Sequence, residues 1–597
     1  KPGKQGGKGL KGGNYRGPGN RRSGGQKEAG WAAVYAGPAG SGLEPCGPLT
    51  LIFKARISAG DHGSELSASC MLKRFPLIPA AGLLLVIALA LLPWWRNRAY
   101  LRDTFDYGVL MAAAGREEAG QRPYVDFVSP LQTMPYLASR AAETVFGATY
   151  QGMTGGGAVL IVLSAVAFAA MFSRRWPVGI ALFSSAVLTV AMASQHLIAF
   201  YNVLGGICLV VAAWSAAVAP ALQRRTWGWH LALGLVLWLG GMNKLNWHLL
   251  ALAVAVAWVV RAAVGREVGL YPALAMLGFI FLAGVILPVA TELTWTGASL
   301  QAWFYNVVEI PLQGSRSGDL ASVLTARFYL EPHHNYYGAL LVPQLGLVGV
   351  LATLWVVGVA CRQAWRRGKR IDLFFAPLAG LLAIAGGAGL LATNFDIAVV
   401  AVGAWLGLLT ALWVGFDLPT GGWTPRAGLG VLALLGVVAW PAAWEGKRSQ
   451  FGHLPGSRNT YLPAETAGAD FAYLRGTLIP PDMHRSLHEL AWWRQVNPAA
   501  ARRLFYGQGL EWLERCWPAI RVPERPLWMH FGTSYVGKTA ADFLAALQQG
   551  EPHDRLVIPI SYDFWPTRVQ LVLDHDYVRS MIGPHYVLYE RVPTNGV

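Results

Sequence analysis

Between Arg102 and Gly147 the chain reads RDTFDYGVLMAAAGREEAGQRPYVDFVSPLQTMPYLASRAAETVFG, a polar stretch carrying Asp103, Asp106, Glu117, Glu118 and Asp126. Carboxylates are the groups that take a proton from a weak nucleophile such as a hydroxyl, a contribution of about 10²- to 10⁴-fold in rate. Asp103 and Asp106 are three positions apart, which on a helix puts both on one face, so one could orient or cap the other. Asp126 has two readings of equal weight. It is either a second essential acid or a carboxylate that holds the Pro123-Tyr124 turn by accepting backbone N–H groups. The stretch is far too long for a minimal turn, and loops of that length commonly carry function.

Cations suited to an anionic group lie elsewhere in the chain. Lys244 stands in Met242-Asn243-Lys244-Leu245-Asn246, a short turn between two apolar segments. A charge there is expensive enough to make function the first hypothesis. Snorkelling to lipid headgroups is the equally weighted alternative. Arg316 and Arg327 fall in the loop from Glu292 to Asn335, and a guanidinium offers a fixed fork of donors to a phosphate. Glu331, His333 and His334 in the same loop raise a divalent metal as a possible cofactor. Adjacent histidines rarely point at one ion, so a wet interfacial loop is the preferred reading, and no metal ligand is assigned.

The elements that must position these groups are helices in a bilayer. Of 597 residues 54% are hydrophobic and only 14% charged, with a mean hydropathy of +0.37, which excludes an ordinary soluble enzyme. About eleven stretches reach the ~20 apolar residues needed to cross a hydrocarbon core. They run from Phe75 to Trp95, Gly155 to Phe172, Pro177 to Ala193, Ile198 to Ala219, Trp227 to Met242 and Trp247 to Ala263. The rest run from Leu270 to Thr291, Tyr337 to Cys361, Leu373 to Ala392, Ile397 to Phe416 and Ala427 to Trp444. With a cytoplasmic N-terminus, the inner loops would hold Arg174-Arg175, Arg224-Arg225, Arg261, Arg266 and the cluster from Arg362 to Arg370, as the positive-inside bias requires. The short turns at Gln195-His196 and Thr393 to Asp396 would be outer. The tail after Trp444 would then lie outside, in the periplasm of a Gram-negative cell.

Three domains are expected: a Gly-rich basic extension over 1–70, a transmembrane domain over 71–444 whose first outer loop is 96–152, and a small α/β domain over 445–597. The extension carries ten Lys/Arg against four Asp/Glu, six of the sixteen net positive charges. Its Gly-Arg and Gly-Lys runs could bind nucleic acid, but a disordered tail or an extension upstream of a start at Met71 is preferred, so no nucleic-acid partner is expected. In the tail, strands are expected over Leu527 to Phe531, Leu556 to Ile560, Val569 to Leu573 and Tyr586 to Glu590. Helices are expected around Leu487 to Trp493 and Ala540 to Gln548. Gly532 to Thr539, GTSYVGKT, fits the phosphate-loop spacing. Too little chain follows for the rest of such a domain, so a strand-to-helix turn is expected instead. Cysteines 46, 70, 208, 361 and 516 have no metal or disulfide spacing.

Asp106-Tyr107, Gly120 to Phe127 (GQRPYVDF), Pro130, Tyr136 and Phe146-Gly147 together resemble the first extracytoplasmic loop of GT-C membrane glycosyltransferases, in the branch of protein O-mannosyltransferases and lipid A aminoarabinose transferases. The resemblance implies a polytopic inner-membrane enzyme that moves a sugar from a polyprenyl-phosphate-linked donor to a glycan, lipid or protein acceptor. It implies Asp106 as base, Asp126 as a second acid, and Lys244, Arg316 and Arg327 as candidate partners of the donor phosphate. Many relatives carry Asp-Glu where this chain has Asp106-Tyr107, which keeps Asp103 as an alternative base. The rival functions are a non-enzymatic transporter or flippase and an envelope-assembly factor.

Overall fold

The computed structural model describes residues 77–101, 104–218, 226–313, 341–393, 398–419, 423–445, 460–517, 526–531, 534–550, 553–563 and 565–592. Each of the eleven apolar stretches is helical over most of its length. Among the described residues seven helices are long and apolar enough to cross a membrane: Pro79–Asn97, Tyr150–Phe172, Tyr201–Val218, Leu245–Val264, Leu270–Thr296, Gln344–Arg366 and Arg370–Leu391. Val178–Met192, Val399–Gly415 and Ala427–Pro441 are apolar but shorter. The chain is thus a polytopic α-helical membrane protein with a small C-terminal α/β region.

The helix Tyr201–Val218 (α6, counting Leu77–Asn97 as α1) is the hub, since 89% of its apolar window is buried against 22% for the first helix. Large rings need small partners at such crossings. A Cβ on Gly387 would lie 2.2 Å from the Trp405 ring, and Trp405 Nε1 donates to Thr353 Oγ1 at 3.1 Å. Within Leu270–Thr296 a single π turn, Leu282–Ile286, interrupts the α-helix. His248 Nε2 bonds the carbonyl of Gly284 there at 2.6 Å, supplying a partner where the helical ladder is broken.

Loops expected to share one side do meet. Asp417 pairs with both Arg175 and Arg367. Arg261 pairs with Asp372 and Glu267, and Lys369 also reaches Glu267. At the other end, Arg96 and Asn97 donate to the carbonyls of Ala443 and Trp444. The first helix and Trp423–Glu445 therefore finish side by side, and the C-terminal region emerges where the first loop does. The Gln195-His196 turn is no exposed connection: both residues are buried, and neighbouring Ser194 donates to the Ala90 carbonyl.

In the C-terminal region a four-stranded sheet has the order β3-β4-β6-β5, built from β3 Leu504–Tyr506, β4 Arg555–Pro559, β5 Tyr577–Ile582 and β6 Tyr586–Arg591. β3 and β4 are parallel, and the other pairings are antiparallel. A small antiparallel pair, β1 Leu462–Pro463 and β2 Leu478–Ile479, precedes it. The expected helices appear as Pro481–Val496 and Gly537–Gln549.

Two strand expectations fail. Val569 to Leu573 lies inside a helix, Thr567–Asp576, because Val569 and Leu573 are buried four positions apart while Leu571 is 64% exposed. Leu527 to Phe531 joins no sheet among the described residues. Its Leu527 N–H donates instead to the Val128 carbonyl of the first loop, beside an isolated bridge between Pro526 and Val128.

Candidate active site

The loop after the first helix folds as two helices, α2 Asp106–Glu118 and α3 Met134–Phe146, joined by residues 119–133. α2 is buried on nearly every face, so it is wedged into the molecule rather than laid upon it. Against it packs the 3-10 turn Glu511–Arg515, with Trp512 in contact with Gly108. Arg116 makes a buried two-pronged bond to Glu514, 2.7 Å from Nε and 3.0 Å from Nη2. Arg515 reaches both Glu118 and Glu143, and Tyr473 donates to Glu143 at 2.6 Å. Burial raises the Glu117 carboxyl above its usual range, and the Arg140 guanidinium 3.3 Å away offsets only part of that. A mostly buried ion-pair lattice of this kind fixes geometry because loss of one partner strands the other.

Asp106 occupies the first turn of α2, where the positive end of the helix favours a carboxylate. It is 9% exposed, and the Tyr201 hydroxyl donates to its Oδ1 at 3.2 Å. Tyr201 opens α6, the central helix. Its carbonyl accepts from Asn243 Nδ2 at 2.6 Å, and its ring lies 4.9 Å from the Lys244 ammonium. Lys244, the residue just before helix Leu245–Val264, donates to Asn202 Oδ1 at 2.8 Å. Trp247 Nε1 donates to the same oxygen at 3.1 Å. The structure thus joins Asp106 and Lys244, far apart in sequence, through Tyr201. Tyr107, the next residue after Asp106, accepts the Leu197 N–H at 3.0 Å and bonds His196 Nδ1 at 3.3 Å.

Asp126 has a different setting. Its Oδ2 accepts from Arg122 N at 2.8 Å and from Arg122 Nε at 3.5 Å, with the side chain 40% exposed. These partners belong to its own turn. The turn includes Tyr124 with φ of 66°, a backbone region a bulky residue rarely enters. That conformation sends Tyr124 inward, where its hydroxyl donates to the Leu131 carbonyl at 3.0 Å and approaches Glu292 Oε2 at 3.5 Å. Glu292 is fully buried and also accepts from Thr133 N at 2.7 Å, Thr133 Oγ1 at 3.0 Å and Trp303 Nε1. One carboxylate therefore ties the first loop to the end of the 270–296 helix and to the short helix Leu300–Phe304.

Asp103, Arg316, Arg327, Glu331, His333 and His334 lie outside the described residues. Among the described residues no group of three or more His, Cys, Asp or Glu is arranged to hold a metal ion. In the phosphate-loop-like stretch, Gly532 and Thr533 are also outside. The Thr539 hydroxyl donates to the Ser534 carbonyl at 2.6 Å and accepts from Val536 N at 3.0 Å, and Lys538 pairs with Asp542 on the surface. Those bonds are the capping of a helix start.

Sequence reasoning did not single out Tyr201, Asn202 or His196, nor the Arg116–Glu514 pair. Tyr201-Asn202 was visible as a polar pair opening an apolar run, and Glu292 as a carboxylate ending one, a placement that in membranes marks a functional or structural partner.

No family model matches the chain, and no curated protein sequence does. Solved structures similar to it include ArnT from Cupriavidus metallidurans in the apo state, at 16% identity and a TM-score of 0.43, covering 86% of this chain and 98% of that one. ArnT bound to undecaprenyl phosphate matches at 13% identity and 0.38 over the same shares. The archaeal oligosaccharyltransferase AglB from Archaeoglobus fulgidus, in complex with an inhibitory peptide and a dolichol-phosphate, matches at 12% and 0.41, covering 88% of this chain and 75% of that one. Likenesses this distant assign no family.

Proposed function

We propose that this protein is a GT-C-type glycosyltransferase acting at the outer face of the cell membrane, moving a sugar from a polyprenyl-phosphate carrier to an acceptor hydroxyl. The observation that carries the reading is the meeting of Asp106 and Lys244 across Tyr201 at the end of the helical bundle. It supplies, within one connected cluster, an acid–base group and a cation. Those are the two charges that transfer from a lipid phosphate requires.

The acceptor oxygen attacks the anomeric carbon and its proton passes to Asp106, so that a poor nucleophile is activated as the bond forms. The bond from the anomeric carbon to the phosphate oxygen breaks with its electron pair going to that oxygen. Lys244 stands as a fixed cation for the charge gained by the departing polyprenyl phosphate. Tyr201 orients the Asp106 carboxylate and, through its ring, holds the ammonium. A carrier with an isoprenoid tail must be met from within the bilayer, which suits a site at the end of a polytopic bundle. Arg316 and Arg327 remain proposed as further phosphate partners, Asp103 as the alternative base and Asp126 as a second acid. The test is turnover of a radiolabelled polyprenyl-phosphate sugar by the full chain in nanodiscs. Release of free carrier supports the reading, whereas a chain that binds the carrier and never cleaves the donor overturns it in favour of a transporter.

A further inference from the structure

A cavity of about 640 Å³ opens where the first loop, the segment Ser299–Asn306 and helix Gly537–Gln549 converge. Its size is that of a small-molecule or oligosaccharide site. Three stretches remote in sequence form its walls. Tyr124 comes from the first, Gln301, Tyr305 and Asn306 from the second, and Lys538 and Asp542 from the third. The walls are held in place: Asn306 Oδ1 accepts the Ser129 N–H at 2.8 Å, and Tyr124 is anchored to Leu131. The lining joins ring faces to hydroxyl and amide groups. Its two full charges, Lys538 and Asp542, pair with each other at 2.6 Å and so cancel locally.

We infer that this cavity is the acceptor site and that it takes an uncharged oligosaccharide. A sugar ring has an apolar face bordered by hydroxyls. It therefore matches an aromatic wall beside amides that both donate and accept. A phosphorylated glycan or a lipid headgroup would meet no unbalanced cation among these wall residues, and a lipid tail would press hydrocarbon against the Gln301 amide and the Lys538–Asp542 pair. Phe127 lines the same cavity with its ring 5.2 Å from the guanidinium of Arg116, on the helix that begins at Asp106, so the cavity and the proposed base share one rigid loop. The assignment as acceptor site rests on the glycosyltransferase reading, but saccharide binding is measurable without turnover.

The experiment is saturation-transfer NMR and calorimetry on the full chain in nanodiscs with uncharged tri- to pentasaccharides, against a phosphorylated oligosaccharide and a serine-rich peptide. Ala302→Trp and Ala546→Trp fill the cavity from opposite walls, so that misfolding of one leaves the other informative. At least one uncharged oligosaccharide should bind saturably and lose ten-fold or more in affinity in both variants, while Asp106→Asn leaves binding intact. Binding that survives with no donor turnover would sink the transferase reading and leave the saccharide site standing. No uncharged saccharide bound, binding indifferent to both tryptophans, or binding of only the phosphorylated glycan or the peptide would overturn the inference.

Discussion

Tyr201 donates its hydroxyl to Asp106 Oδ1 across 3.2 Å, and the same ring lies 4.9 Å from the Lys244 ammonium. One aromatic side chain thus sets the relation between the two charges the proposed reaction uses. A hydrogen bond to a charged group is worth about 1.5–3 kcal/mol. Tyr201→Phe keeps the ring and loses that bond, so kcat should fall roughly 10- to 100-fold with donor KM little changed. Steady-state kinetics would show this split. A raised KM at constant kcat would reassign Tyr201 to donor binding.

Lys244→Gln removes the cation and retains a polar group for Asn202. Affinity for polyprenyl phosphate should fall on the order of ten-fold or more, and melting temperature should barely move because the site is partly exposed. Native mass spectrometry of carrier binding with a thermal melt checks both. Unchanged binding would leave Lys244 as a snorkelling surface residue.

Glu292→Gln should loosen the first loop without touching the chemical groups. An amide oxygen replaces only one of two acceptors, so the NH₂ faces either the two Thr133 donors on one side or the Trp303 and Tyr124 donors on the other. The cost of a mispaired buried group is about 1–3 kcal/mol. Faster hydrogen exchange around Thr133 and Tyr124, with a lower melting temperature, is expected; exchange identical to the parent chain would show that the loop is held elsewhere.

Glu514→Leu or Arg116→Met should each destabilise by about 3–5 kcal/mol, because each strands a buried charge. The double change Arg116→Met with Glu514→Leu should recover most of that loss. A double-mutant cycle in denaturant measures the coupling, and additive losses would mean that the pair does not bind α2 to the C-terminal region.

The helices were readable because apolar runs near 20 residues leave few alternatives in a bilayer. The loop stood out as a candidate site from its carboxylates and its resemblance. What failed was short or non-local. Val569, Leu571 and Leu573 alternate like a strand, yet the buried pair is four apart and Leu571 faces out, so a helix fits equally well by pattern. β5 escaped notice because its four central residues are exposed and carry no alternation. Leu527 pairs with Val128 some four hundred positions away, which no local pattern encodes. Tyr201 and Lys244 meet only because α6 packs against Leu245–Val264, and Asp126, readable in sequence equally as an acid or as the holder of its turn, makes its bonds within that turn.

The most direct measurement is donor cleavage by Asp106→Asn, which preserves shape and the Tyr201 contact while removing the base. With a radiolabelled polyprenyl-phosphate sugar and the full chain in nanodiscs, the account predicts turnover at least about 10²-fold below the parent with carrier binding retained. Near-normal turnover by this variant would contradict it, transferring the role to Asp103 if Asp103→Asn is inactive and removing the active site from this loop if both variants keep full activity.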